Sequence, residues 1–219
     1  MTPLAFIGGT GPEGRGLALR LAAAGEPVLI GSRTAARAAA AADAIRAALP
    51  AARIDACENL DALERSDRVV LAVPFHGLAA FLDVARTRLE RKLVIDVIVP
   101  LALRAGFFEL AAVPGAASVG ELIQRAAPGA RVVSAFKNLS AEKLLDLGSP
   151  LEGDIVLCGN DPAARGEVGA LVRRLPGLRA VDAGDLRNAR YIEAITPLLL
   201  NLNRASGART SIAILGLPT

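Results

Sequence analysis

The spacing Gly9-x-Gly11-x-x-Gly14 lies directly behind the apolar run Leu4-Ala5-Phe6-Ile7-Gly8 and directly ahead of an alanine- and leucine-rich segment. Nothing else in the chain restricts its fold so tightly. Strand, glycine turn and helix, in that order, form the dinucleotide fingerprint in the context it requires. The glycines allow a tight turn and let a pyrophosphate approach the main chain. The helix start offers unpaired N–H groups and a positive dipole end to the phosphates. Gly9, Thr10, Gly11, Pro12 and Gly14 are therefore the expected pyrophosphate loop. The second strand, Pro27 to Ile30, ends in Gly31-Ser32-Arg33, where an NAD site would carry Asp or Glu for the ribose 2′-hydroxyl. A small hydroxyl followed by an arginine suits a 2′-phosphate, so the expected cofactor is NADP(H). Arg37 lies one helical turn past Arg33 on the same side, and Thr10 faces that strand end. For Arg37 the competing reading is an ordinary surface arginine.

With 219 residues the chain can bury one full core and a modest second lobe. Its 53% hydrophobic content is inflated by alanine. No apolar run reaches the roughly 18–20 residues that cross a bilayer. The best stretch, Ile192 to Leu202, is interrupted by Thr196-Pro197, and no basic region precedes an apolar segment at the N-terminus. Cys57 and Cys158 lie far apart with no CxxC, which predicts two buried free thiols in a reducing, cytoplasmic setting. One histidine and two cysteines leave no structural zinc site, so no metal is expected. The net charge of +3 comes from scattered arginines, and aromatics make up only 3%. Without basic runs or stacking platforms, neither nucleic acid nor membrane is an expected partner.

Strand and helix patterns alternate through the first two-thirds. Strands are predicted at Leu4–Gly8, Pro27–Gly31, Arg53–Ala56, Arg68–Val73, Lys92–Val99 and Arg131–Ala135. Helices are predicted at 14–24, 34–49, 59–65 and 77–89, with a capping box Ser118-x-x-Glu121 opening another. The β-branched strands lack polar alternation, which argues for a parallel sheet covered on both faces. Pro100 to Gly115 reads as an irregular loop. Beyond it come a short helix at 140–147, strands at Asp154–Cys158 and Arg179–Val181 flanking a helix at 162–175, a long helix from Asp185 to Arg204 bent at Pro197, and a strand-like Ser211–Leu215. The fold class is α/β: a Rossmann-type doubly wound parallel sheet with a small, mainly helical C-terminal lobe. The division falls at residues 1–137 and 138–219.

The fingerprint fixes a cofactor and not a substrate. Four further places bear on the chemistry. The first is the phosphate corner of Thr10, Ser32, Arg33 and Arg37. In the second, Val73-Pro74-Phe75-His76 follows the fourth strand, at the sheet end that faces the cofactor crevice. Pro74 and Phe75 can wall the nicotinamide, and His76, the only histidine, is either an acid–base group or a surface residue at a helix start. In the third, Ile98-Val99-Pro100 flanks the nicotinamide from its other side, where apolar walls exclude water. In the fourth, Ser134-Ala135-Phe136-Lys137-Asn138-Leu139 follows the sixth strand. Lys137 is a proton donor, an anchor for an anionic acceptor, or solvated, and Asn138 can hydrogen-bond a carbonyl.

At these residues the chain resembles the NADPH-dependent reductases of the deazaflavin coenzyme F420 (F420H2:NADP oxidoreductases). The resemblance rests on Gly8-Gly9-Thr10-Gly11-x-x-Gly14-x-Gly16-Leu17-Ala18-x-Arg20, Gly31-Ser32-Arg33, Val73-Pro74, Val132-Val133-Ser134-Ala135 and Val156-x-Cys158-Gly159-Asn160-Asp161. It continues through Gly177-Leu178-Arg179-x-Val181-Asp182-Ala183-Gly184 and Glu193-Ala194-Ile195-Thr196-Pro197-Leu198-Leu199-Leu200-Asn201. It implies an oxidoreductase that moves a hydride between nicotinamide C4 and deazaflavin C5, a homodimer, and a deazaflavin cleft between the lobes. It implies 2′-phosphate contacts from Thr10, Ser32, Arg33 and Arg37, and nicotinamide contacts from Pro74 and Pro100. Phe136, Lys137, Asn138, Leu198 and Leu199 would border the deazaflavin. The family often carries a histidine where this chain has Lys137. The alternatives are an NADPH-dependent reductase of another small acceptor and a non-catalytic NADPH-binding module.

Overall fold

The computed structural model describes residues 2–217. Ten strands and eight helices follow one another as β1 (Leu4–Ile7), α1 (Pro12–Ala23), β2 (Val28–Ser32), α2 (Ala35–Ala48), β3 (Ile54–Glu58), α3 (Asn59–Glu64), β4 (Arg68–Leu71), α4 (Phe75–Leu89) and β5 (Leu93–Asp96). Next come β6 (Leu101–Arg104), β7 (Phe107–Leu110), α5 (Val119–Ala126), β8 (Arg131–Ser134), α6 (Ala141–Leu145), β9 (Gly153–Gly159), α7 (Pro162–Arg173) and β10 (Leu178–Asp182). A 3₁₀ turn at Leu186–Asn188 leads into α8 (Ala189–Ser206). Eight strands form one sheet in the order β10-β9-β8-β5-β4-β1-β2-β3. It is the predicted doubly wound α/β architecture, with three departures described below.

The central strands are apolar on both faces because both faces are covered. Leu4 and Phe6 of β1 point into one core layer with Leu17 of α1, Ala38 of α2 and Val168 of α7. Ala5 and Ile7 point into the other, with Leu63 of α3, Leu82 of α4, Ile123 of α5 and Ile192 of α8. The period of two along a strand thus feeds two separate layers.

The sheet departs from all-parallel at β9, which pairs antiparallel with β8 (Val133 opposite Gly159) and parallel with β10. Residues 100–115, predicted as an irregular loop, are irregular only beyond residue 110. β6 and β7 form an antiparallel hairpin around Ala105-Gly106, both at positive φ (47° and 80°). A two-residue turn of that geometry is usually signalled by Asn-Gly or Asp-Gly, and alanine hides it. Ser211–Ile214 forms no strand, although Ile212 O accepts from Asp154 N at 2.8 Å beside β9. α8 runs through Pro197 and stops at Gly207 in the left-handed conformation (φ 69°). The strand order reverses between β1 and β4, and a ligand crevice belongs at the carboxyl ends of those two strands.

Candidate functional site

The residues at the carboxyl edge assemble in that crevice. Gly8 turns the chain with φ 77°, and its N–H donates to Asn59 Oδ1 at 3.0 Å. A side chain at Gly9 would meet Phe6 Cβ at 2.8 Å, so glycine is required there by packing. Gly11 is different: a Cβ would have no protein atom closer than 3.8 Å. Packing does not demand glycine at that position, whereas a phosphate lying against the main chain would. α1 opens immediately behind with Pro12 in its first turn, the preferred residue for a helix start. The loop therefore fits the pyrophosphate of a dinucleotide.

At the end of β2, Ser32 is buried and its Oγ lies 3.5 Å from Thr10 Oγ1. The glycine loop and the second strand are thus brought together as the sequence predicts. Arg33 and Arg37 are exposed, and among the described residues neither guanidinium is ion-paired. Thr34 caps α2 by accepting from Arg37 N at 3.4 Å, which aims a second helix start at the same corner. Two free guanidiniums, two hydroxyls and a helix start make a site for a dianion.

Along the same sheet edge, behind the first turn of α1, lies a cleft of about 560 Å³, walled by Val73, Pro74, Phe75, Ile98 and Val99 and by Leu139, Ala141, Thr196, Leu199 and Leu200. Five of the residues predicted to contact cofactor or acceptor do not take the places foreseen for them. His76 is exposed in the first turn of α4 and lies outside the cleft lining, because the helix turns it to solvent. Pro100 is buried away from the cleft, where its carbonyl accepts from Ala111 N at 2.6 Å and closes the hairpin. Phe136 is fully buried in the core at φ 59° and does not border the cleft. Leu198 is 56% exposed on the far face of α8, whereas its neighbour Leu199 lines the cleft. Asn138 does line the cleft as predicted, although its Nδ2 donates to the Asp154 carbonyl of β9 at 2.8 Å and its Oδ1 is buried with no partner.

Lys137 is the fifth and largest correction. Its side chain is completely buried, and the ammonium donates to Asp96 Oδ2 (2.7 Å), the Ile98 carbonyl and Glu193 Oε1 (3.4 Å). Asp96 also accepts from Ser134 Oγ at 2.7 Å and from Ile98 N at 3.0 Å, and Glu193 accepts from Val119 N at 2.9 Å. Lys137 is neither solvated nor free to hold an anion. It ties the end of β5 and α8 to the turn after β8. Burial raises Glu193 to about 7, with Asp96 adding to the rise and Lys137 opposing it. A single ammonium serves two carboxylates.

Asp96, Glu193 and Asn59 escape a reading by motif. A single acid ending an apolar strand and a single acid on the buried face of α8 were the only signals available. Cys57 is half-buried and not buried, and both thiols are free. Burial pushes Cys158 up to about 12, which removes it from nucleophilic chemistry.

A doubly wound sheet, an open glycine loop, a dianion corner and an apolar cleft beside it define the class of dinucleotide-dependent oxidoreductases. The sequence profile described as "NADP oxidoreductase coenzyme F420-dependent" matches residues 3–100. An F420-dependent NADP reductase of Methanocaldococcus jannaschii is 39% identical over 91% of this chain and 92% of its own. A second, from Methanothermobacter marburgensis, is 37% identical over 98% of this chain and 99% of its own. A crystal structure from Arthrobacter sp. FB24, described as a "putative f420 dependent nadp-reductase", superposes with a TM-score of 0.81 at 29% identity over the whole of both chains. The chain belongs to the family of F420-dependent NADP reductases.

Proposed function

We propose that this chain transfers a hydride between the nicotinamide of NADP(H) and the deazaflavin ring of F420. The observation that carries the reading is the apolar cleft that runs from the first turn of α1, behind the glycine loop, to α8, within a chain of this family. NADP(H) supplies or takes up the hydride at C4. The rest is positioning. Thr10, Ser32, Arg33 and Arg37 hold the 2′-phosphate, and Gly9, Gly11 and the start of α1 hold the pyrophosphate. Val73, Pro74, Phe75 and Val99 wall the nicotinamide, while Asn138, Leu139 and Leu199 border the acceptor. Such walls align two rings and expel water, which suffices for a reaction that moves a hydride between stacked rings.

A carbonyl reductase would need a proton donor at the acceptor. His76 points to solvent and Lys137 is enclosed by two carboxylates, so neither residue named for that role supports it. Residues after 137 complete the acceptor side of the cleft. An exposed apolar stripe on α8, formed by Tyr191, Leu198 and Leu202, and the nearby Leu103 and Phe107 of the hairpin supply a homodimer surface. Among the described residues no helix is long and apolar enough to cross a membrane. The test is isotopic. NADPH deuterated at C4 should deliver its label to C5 of F420, and label appearing in solvent instead would refute direct transfer.

A further inference from the structure

Hydride transfer as described leaves unassigned one cleft carboxyl that, among the described residues, has no ion pair. Glu13, in the first turn of α1, lines the cleft with Pro74 and Leu139. It is half-buried, and among the described residues its carboxyl has no hydrogen bond or ion pair. The charged side chains of the neighbouring elements do not pair with it. Glu142 of α6 pairs with Arg209 at 2.7 Å, and Lys137 pairs with Asp96 and Glu193. Arg20 of its own helix donates to carbonyls of residues 143–149, Lys143 lies on the α6 turn among them, and His76 faces solvent.

Two opposed effects act on this carboxyl. The start of a helix favours its ionised form, and burial favours the neutral form. Burial wins and raises Glu13 to about 8. A dinucleotide pyrophosphate bound at the same helix start adds negative charge beside it and disfavours the carboxylate further.

We propose that Glu13 links dinucleotide binding to proton uptake, entering the NADP(H) complex as a neutral carboxylic acid. The inference rests on the NADP(H) reading above. The neutral acid offers an O–H donor where the carboxylate would repel a phosphate oxygen. Ionised Glu13 weakens the complex, so the cofactor is held less tightly as pH rises through the alkaline range.

Calorimetric titration of NADP+ at pH 8, in two buffers of different ionisation enthalpy, counts the protons. The 2′-phosphate is already ionised at that pH, since a phosphate monoester loses its second proton near pH 6. The native chain should take up about half a proton per dinucleotide, and Glu13→Gln and Glu13→Ala essentially none. Between pH 8 and 9 the native Kd should weaken by about fivefold, while that of Glu13→Gln stays flat. Equal uptake in all three proteins, or none in the native chain, overturns the inference and leaves the cofactor reading intact. If the native, folded protein gives no binding with NADP+ at all, the cofactor reading falls and this inference falls with it.

Discussion

Arg33 is the residue on which cofactor choice rests. Its guanidinium is exposed and uncommitted beside Ser32 and Thr10, so nothing in the fold depends on it. Hydrogen bonds to charged groups are worth about 1.5–3 kcal/mol each, which corresponds to roughly a ten- to hundredfold loss. Arg33→Ala should therefore raise the Kd for NADPH by that factor and leave the Kd for NADH unchanged. Equal losses for the two cofactors would remove Arg33 from the 2′-phosphate site. Glu193 makes a different prediction, about stability. Its carboxyl holds its proton more tightly folded than unfolded, with a value of about 7 against an ordinary 4.5. Its stabilising share is full below the unfolded value and disappears as pH rises through the folded one. The unfolding midpoint should thus fall between pH 5 and 8, and Glu13 acts in the same sense. Glu193→Gln should flatten part of that slope, and an unchanged slope would contradict the assignment.

At the scale of elements, the hairpin shows how a side chain can replace a strand. Asn201 of α8 accepts from Phe108 N at 2.9 Å and donates to the Phe108 carbonyl at 2.8 Å, so its amide pairs with β7 as a neighbouring backbone would. Asn201→Ala leaves both groups unmatched, at about 1–3 kcal/mol, and amide exchange at Phe108 should speed up while β1 and β4 stay protected. Uniform loss of protection would mean the hairpin is not a separate unit. The same contact explains what the sequence concealed. The glycine loop and β1, β2, β4 and β5 were legible because periodicity and glycine spacing are local signals. Pairing between Asn201 and Phe108 is not local, and the Ala105-Gly106 turn lacks the residues that normally announce it. The antiparallel entry of β9 was equally hidden, since a strand's direction leaves no mark on its own composition. In the site, Thr10, Ser32, Val73, Pro74 and Val99 could be placed from the elements they follow. Lys137 could not, because its partners Asp96 and Glu193 lie 41 and 56 residues away along the chain. Phe136 and Leu198 were misplaced for a related reason: one residue along a turn or helix reverses the direction a side chain faces.

Across the whole molecule, one edge of the sheet gathers the loops after β1, β2, β4, β5 and β8, and α8 closes the cleft they form. The outer face of α8 carries Tyr191, Leu198 and Leu202 to solvent, so one helix serves the cleft on one side and the proposed dimer surface on the other. Leu198→Glu should convert a dimer to a monomer in sedimentation without altering NADPH affinity. A native chain that sediments as a monomer would contradict that surface. Mixing the protein with NADPH and oxidised F420, and following the visible absorbance of the deazaflavin, decides whether the hydride passes between them. Bleaching should be rapid with NADPH, far slower with NADH, and absent with FMN in place of F420. No bleaching above the enzyme-free rate, in a protein shown to bind NADPH, would contradict that transfer.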